Sequence, residues 1–242
     1  MPKDLIFVTG GSSGIGQGMI EARTDRDARV FNLSRRSGKE STHIEADLAS
    51  IRGWDIAEKL FMEEISKFSG ERILFIHSAG TLSPIGFAGE QDSDKYRSNI
   101  LLNSAAPQIL GDSFLRALAN FPGLGVVLFI GSGASHTAYA GWSGYCGGKA
   151  AADQWVRSVG IELTARGDKS KVLSIAPGIV ETDMQSEIRR TEAKDFPEVD
   201  MFISLHNQGE LKTAAEVSDK IWTVLDANQF TNGETLDLRD IS

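Results

Sequence analysis

The chain has a single cysteine, Cys146, among its 242 residues. It can therefore close no disulfide within itself and build no cysteine-based metal cluster, and no metal is expected. Positive charge is also in short supply: 25 Lys and Arg stand against 33 Asp and Glu, a net charge of −8. That balance offers no basic face to nucleic acid or to an anionic membrane surface. No apolar run approaches the ~20 residues needed to span a bilayer. Met1-Pro2-Lys3-Asp4 leads straight into a short apolar run, without the charged, apolar and cleavable parts of a secretory signal. These absences point to a reducing, cytoplasmic setting with neither membrane nor nucleic acid as partner.

What is present is an alternation of two patterns. Short apolar runs fall at Leu5–Val8, Arg29–Leu33, Ile73–His77, Val126–Ile130, Val172–Ile175 and Thr235–Leu238. They lack strict polar–apolar alternation, as expected of strands covered on both faces. Between them lie segments with helical spacing. Ile56, Leu60, Ile65 and Phe68 mark a face of Trp54–Phe68; Ala150, Trp155, Val156, Val159 and Leu163 mark Lys149–Arg166; Val217, Ile221, Trp222 and Leu225 mark Ala214–Ala227. Strand–helix alternation implies parallel pairing through right-handed crossovers. The expectation is one α/β domain over residues 1–242, a Rossmann-type three-layer sandwich around a doubly wound parallel sheet of about seven strands. The polar stretch Glu181–Gly209 breaks the rhythm and reads either as a substrate-binding lid or as a surface excursion with one or two short helices.

The first apolar run enters Thr9-Gly10-Gly11-Ser12-Ser13-Gly14-Ile15-Gly16, and a helical pattern follows. Glycines here permit a tight turn, close approach of backbone to a pyrophosphate, and close helix–strand packing. The helix N-terminus adds free N–H groups and the positive end of its dipole. After the second run, an NAD site would carry a carboxylate for the ribose 2′-hydroxyl. Here the sequence is Ser34-Arg35-Arg36. Two arginines suit the 2′-phosphate of NADP, so NADP(H) is the expected cofactor, with NAD(H) possible.

Tyr145 and Lys149 lie four residues apart and share one face of a helix. A phenol with a pKa near ~10 is too weak an acid for fast proton transfer at neutral pH, and a neighbouring ammonium would lower that value. Ser132 follows the run Val126–Ile130, at the strand end where ligands bind in such sheets. Each of the three also has a plain reading, as surface aromatic, solvated charge and turn residue.

Taken together, from Thr9 to about Leu238, these features resemble the short-chain dehydrogenase/reductase family. Thr9–Gly16 resembles its cofactor turn, and Asp47-Leu48 its adenine contact. Ser132, Tyr145 and Lys149 are similar to its catalytic set, completed by Asn103 in Asn103-Ser104-Ala105-Ala106-Pro107, with Asn99 one turn earlier as a competitor. Pro177-Gly178-Ile179-Val180-Glu181-Thr182 resembles its nicotinamide-side motif, with Thr182 on the carboxamide. One departure is His77-Ser78-Ala79-Gly80, where the family carries Asn-Asn-Ala-Gly. Ser78, Ala79 and Gly80 still suit the cofactor wall, and His77 reads as a hydrogen-bonded strand-end residue.

The stretches Ser34-Arg35, Asn103–Pro107 and Pro177–Gln185 look like the sepiapterin and benzil reductase branch. The resemblance implies reduction of a small-molecule ketone or dicarbonyl, with Tyr145 as acid, Ser132 on the carbonyl oxygen, Lys149 beside the phenol and on the nicotinamide ribose, and Asn103 holding a water behind Lys149. It implies a cofactor surface that runs over Gly10, Ser12, Ser13, Gly14, Ile15, Gly16, Ser34, Arg35, Arg36, Asp47, Leu48, Ser78, Ala79, Gly80, Asn103, Tyr145, Lys149, Pro177, Gly178, Ile179, Val180 and Thr182. It also implies a homodimer or homotetramer. An epimerase using the dinucleotide transiently, or a dinucleotide sensor without turnover, remain alternatives. Substrate choice is expected to lie in Leu82–Gln91, Ser135–Trp142 and Met184–Gly209.

Overall fold

The computed structural model describes residues 2–241. Seven strands form one sheet in which every neighbouring pair is parallel. They are β1 (Asp4–Thr9), β2 (Arg29–Ser34), β3 (Thr42–Glu45), β4 (Arg72–His77), β5 (Leu124–Ile130), β6 (Lys171–Ala176) and β7 (Glu234–Asp237), in the order β3-β2-β1-β4-β5-β6-β7. The order reverses between β1 and β4. Their carboxyl ends therefore diverge into loops running in opposite directions, which leaves a crevice there.

The period of two along each strand splits the core. Leu5 and Phe7 of β1 point to one face with Phe31, Phe75, Val127 and Phe129, where α2 (Ile51–Ile65), α4 (Ala106–Ala117) and α5 (Ser143–Ala165) cover them. Ile6 and Val8 point to the other, with Leu74, Ile76 and Leu128, under α1 (Gly14–Glu21) and α8 (Ala214–Ala227). Helices on both faces of a parallel sheet make the three-layer sandwich expected from the alternation. Trp222 of α8 is fully covered, and its indole N–H donates to the Met19 carbonyl at 2.9 Å.

Two elements differ from the sequence reading. α2 begins three residues before Trp54, because Ser50 caps it by accepting from the Gly53 N–H at 3.1 Å. Its fully buried row is Gly53, Ala57, Phe61 and Ile65, while Ile56, Leu60 and Phe68 flank that row. The small Gly53 and Ala57 hid the true face: an ideal Cβ on Gly53 would lie 2.0 Å from the Asp47 carbonyl oxygen. β3 escaped the list of apolar runs since it is a four-residue edge strand, Thr-His-Ile-Glu, with one apolar side chain. Between β4 and β5, α3 (Ser93–Ile100) joins α4 through a π-helical turn at Leu101–Ala105 that contains Asn103. After β6, the stretch 181–209 folds into α6 (Asp183–Arg189) and α7 (Val199–Asn207). Among the described residues no helix is long and apolar enough to cross a membrane.

Candidate active site

A cleft of about 880 Å³ opens along the carboxyl edge of the sheet. Its floor starts at the turn after β1, where Gly10 (φ +67°) and Gly14 (φ +54°) take the left-handed backbone that glycine adopts freely. Gly16 faces away from the cleft. A Cβ there would lie 2.4 Å from the Gly10 carbonyl oxygen, so this glycine lets α1 close onto the turn. Gly10, Ser12, Ser13, Gly14 and Ile15 line the cleft.

Thr9, fully buried, ties this turn to the loop after β4. Its hydroxyl oxygen accepts from the Ser78 and Ala79 N–H groups at 3.1 and 3.2 Å. The same hydroxyl is hydrogen-bonded to His77 Nδ1 at 3.0 Å. Nε2 is buried without a partner, between the rings of Phe75 and Phe129. Burial, helped by the Lys149 charge, pulls the His77 pKa down to about 3. His77 is thus neutral at physiological pH, held by the Thr9 hydroxyl. Ser78, Ala79 and Gly80 line the cleft beside it. Asn32, inside β2, supports the glycine turn by accepting from the Gly11 N–H at 2.9 Å. A polar residue within Val30-Phe31-Asn32-Leu33 was the signal for this role, and the sequence reading passed over it.

At the far end, Ser34, Arg35, Arg36, Asp47 and Leu48 line the cleft. Arg35 and Arg36 are exposed and form no ion pair among the described residues. Nearby Glu40 is held by Arg23 at 2.8 Å, and that hydrogen bond keeps its carboxyl below the usual range. Two unpaired guanidinium groups fit a phosphate there.

Ser132, Tyr145 and Lys149 meet on the opposite wall. Ser132 caps the short 3-10 turn Gly133–Ser135, its oxygen accepting from the Ala134 N–H at 3.2 Å, and it hydrogen-bonds the Tyr145 phenol. Tyr145 is buried on the first turn of α5, with the Trp142 ring edge-on at 5.7 Å. Lys149, one turn on, donates to the Ile130 carbonyl at 2.7 Å and lies 5.7 Å from the centre of the Tyr145 ring. Burial pulls its ammonium down to about 8, partly opposed by Asp153, a buried carboxylate that accepts from Ser174 at 2.6 Å. Burial also pushes the Tyr145 phenol up, and Ser132 opposes that rise. The lowering expected from Lys149 is not seen: desolvation sets the direction for Tyr145. Pro177, Gly178, Ile179, Val180 and Thr182 complete the wall.

Asn103 does not line the cleft. Its amide oxygen accepts from the Thr81 N–H at 3.0 Å, and its nitrogen donates to the Thr81 carbonyl at 2.7 Å and to Asn99 Oδ1 at 2.9 Å. Asn99 in turn donates to the Ser83 carbonyl at 3.0 Å. The two asparagines form one ladder that pins the Gly80–Ser83 segment. Both amide N–H groups of Asn103 are thus committed, and its oxygen accepts one bond.

A model of the short chain dehydrogenase family matches residues 4–193. This chain belongs to that family. It is an NAD(P)-dependent oxidoreductase of the short-chain dehydrogenase/reductase type. Over nearly full length it is similar to a benzil reductase ((S)-benzoin forming) of Bacillus subtilis, 31% identical with 98% of this chain and 99% of the relative covered. It is also similar to a sepiapterin reductase of Rattus norvegicus, 32% identical with 98% and 97% covered. Among solved structures, a short-chain dehydrogenase/reductase of Saccharomyces cerevisiae superposes with a TM-score of 0.83 at 22% identity, covering 98% of this chain and 97% of that one.

The stretch 181–209 packs against the Tyr145 end of the cleft. Ile188, Phe196, Val199 and Phe202 pack on Leu82, Ala134, Trp142 and Tyr145, with Trp142 and Phe196 stacked at 4.4 Å. Glu181 ties α6 to α7, accepting from Arg189 at 2.9 Å and pairing with His206 at 2.9 Å. The three segments expected to set substrate choice each reach the cleft, through Leu82, Tyr139 and Trp142, and Met184 with Phe202. Lys95 of α3 and Arg239, beyond β7, also line it and were missed. As isolated polar residues they left no mark in the hydrophobic pattern.

Proposed function

We propose that this oxidoreductase reduces a ketone or dicarbonyl to an alcohol, with NADPH as the preferred donor. The observation that carries the reading is the convergence of Ser132, Tyr145 and Lys149 on one cleft wall, opposite a glycine turn and a pair of unpaired arginines. The dinucleotide, when bound, supplies the hydride. Gly10, Ser12, Ser13, Gly14 and Ile15 offer backbone and helix N–H groups to its pyrophosphate. Ser34, Arg35 and Arg36 hold the 2′-phosphate, Asp47 and Leu48 the adenine, Ser78 to Gly80 the ribose side, and Pro177 to Thr182 the carboxamide. Ser132 donates to the substrate carbonyl oxygen and stabilises the charge that develops on it. Tyr145 gives that oxygen its proton. A phenol raised by burial stays protonated at neutral pH, as a proton donor must. Lys149 supplies the positive charge that stabilises the phenolate left behind.

The reductase names of the Bacillus subtilis and rat relatives support carbonyl substrates. The aromatic wall of Tyr139, Trp142 and Phe202 supports a substrate with a flat ring next to the carbonyl. We also read the chain as a homodimer or homotetramer through the helices after Asn103 and Lys149, where Ile109 and Ile161 are exposed; sedimentation equilibrium tests this. The enzymatic test is oxidation of NADPH, with NADH in parallel, against benzil, other dicarbonyls and a pterin ketone. Substrate-dependent oxidation favouring NADPH is expected. Binding of neither dinucleotide would remove the proposal.

A further inference from the structure

Four side-chain atoms at the substrate end are buried with no hydrogen-bond partner: both polar atoms of the Gln185 amide, the indole Nε1 of Trp142, and Oε2 of Glu198. Glu198 does not line the cleft, but Gln185 and Trp142 do. Gln185 is the more unusual of the two. Only 3% of it is exposed, yet its Oε1 accepts nothing and its Nε2 donates nothing. Buried amides without any partner are rare, because water that once bonded both ends has been removed and nothing replaces it. A purely structural residue at this place would be apolar, like its neighbours Met184 and Ile188 in the same cluster.

The backbone explains why the amide is held here. Gln185 sits in the first turn of α6, and its N–H is taken by the capping Thr182 hydroxyl at 3.4 Å. That cap fixes the start of the helix, which carries Met184, Gln185 and Ile188 onto the cleft together. The side chain therefore brings a donor and an acceptor, side by side, to a part of the wall that it shares with Met184, Ile188, Trp142 and Phe202, with Asp183 and Glu187 of the same helix also on the cleft.

We propose that Gln185 is a specificity-determining residue that reads a second, amide-type group on the substrate. An N–H and a C=O on the same edge of a lactam satisfy the amide oxygen and the amide nitrogen at once. A hydrocarbon diketone offers no N–H and leaves the Gln185 oxygen unpaired. Recognition of this kind discriminates strongly, since the analogue lacking the group strands a buried polar atom. The inference rests on the reading that this cleft takes ketones as substrates.

The test compares indoline-2,3-dione, which carries a ketone beside a lactam, with its N-methyl derivative, which lacks the N–H. Dissociation constants are measured on the complex with NADP+, in which no reduction occurs, and kcat/KM with NADPH. The wild type is expected to favour the N–H compound at least tenfold in both. In Gln185→Met, which keeps length and apolar volume, that preference falls to near unity, while any steric effect of the methyl group persists. Equal binding of the two compounds by the wild type overturns the inference, and this comparison needs no variant. Retention of the full preference in Gln185→Met also overturns it. So does a variant that loses NADP+ affinity but keeps the preference, which would assign the amide to the cofactor. Absence of ketone turnover with an intact binding preference would contradict the reductase proposal and leave the role of Gln185 standing.

Discussion

Lys149→Met separates the needs of the site from the needs of the fold. Lys149 is partly covered, and burial draws its ammonium from 10.5 in the unfolded chain to about 8 in the folded one. The folded state thus disfavours the charge by about 2.5 pH units, or roughly 3 kcal/mol at ~1.36 kcal/mol per unit. Methionine removes that penalty. It also strands the Ile130 carbonyl, which now accepts from Lys149 at 2.7 Å. An unsatisfied buried carbonyl costs about 1–3 kcal/mol, which leaves a net gain of about 1 kcal/mol. The sign follows from proton counts. Below pH 8 both states of the wild type are charged and the penalty is complete. Between pH 8 and 10.5 the folded state releases its proton first, so wild-type stability rises with pH and the advantage of the variant shrinks. Urea denaturation at pH 6.5 and at pH 10 measures the difference. The variant is expected to be more stable at pH 6.5, by about 1 kcal/mol, with no such gain at pH 10 and with reductase turnover lost. A variant less stable than wild type at pH 6.5, or a gain independent of pH, would refute the reasoning.

The remaining predictions concern other parts of the cleft. Arg35→Ala with Arg36→Ala removes two unpaired guanidinium groups and is expected to weaken NADPH binding at least about tenfold while NADH binding stays nearly constant, as read by fluorescence titration. His77 is about 3 in the folded state and 6.5 unfolded, so wild-type stability falls as pH drops from 6.5 toward 3, by roughly 2–3 kcal/mol over the first two pH units from this group alone. His77→Asn should flatten that slope in denaturation curves taken between pH 6.5 and 4.5. Thr9→Val keeps the shape but leaves the Ser78 and Ala79 N–H groups and His77 Nδ1 without the shared hydroxyl. A loss of about 2–4 kcal/mol in urea denaturation is expected, with weaker dinucleotide binding.

How much of this was legible in the sequence depended on whether a residue's role was carried by pattern or by partner. Five of the six apolar runs became inner strands because a doubly covered strand must be apolar on both faces, as Leu5–Val8 is, and the sixth became the half-covered edge strand β7. Every residue expected at the cofactor surface lines the cleft except Gly16 and Asn103, and each of these holds the wall from behind. The glycine turn and the Tyr145–Lys149 spacing are local, so sequence distance predicts spatial distance. Thr9, Asn32 and Gln185 were not assigned, because their roles depend on groups 3 to 70 residues away or on the lack of any partner. The face of α2 was misread for a related reason: Gly53 and Ala57 carry little hydrophobic signal, yet the helix packs through them.

The central claim is that the Tyr145 hydroxyl completes a hydride transfer to a carbonyl carbon in this cleft. The most direct measurement is a single turnover of benzil with NADPH carrying deuterium at the transferring position, followed by mass spectrometry of the product, for wild type and Tyr145→Phe with NADPH binding measured alongside. The account predicts one deuterium on the carbinol carbon with wild type, and a rate lower by roughly 10²–10⁴ in the variant at nearly unchanged NADPH affinity. Product without deuterium, or a variant that turns over at the wild-type rate, would contradict it.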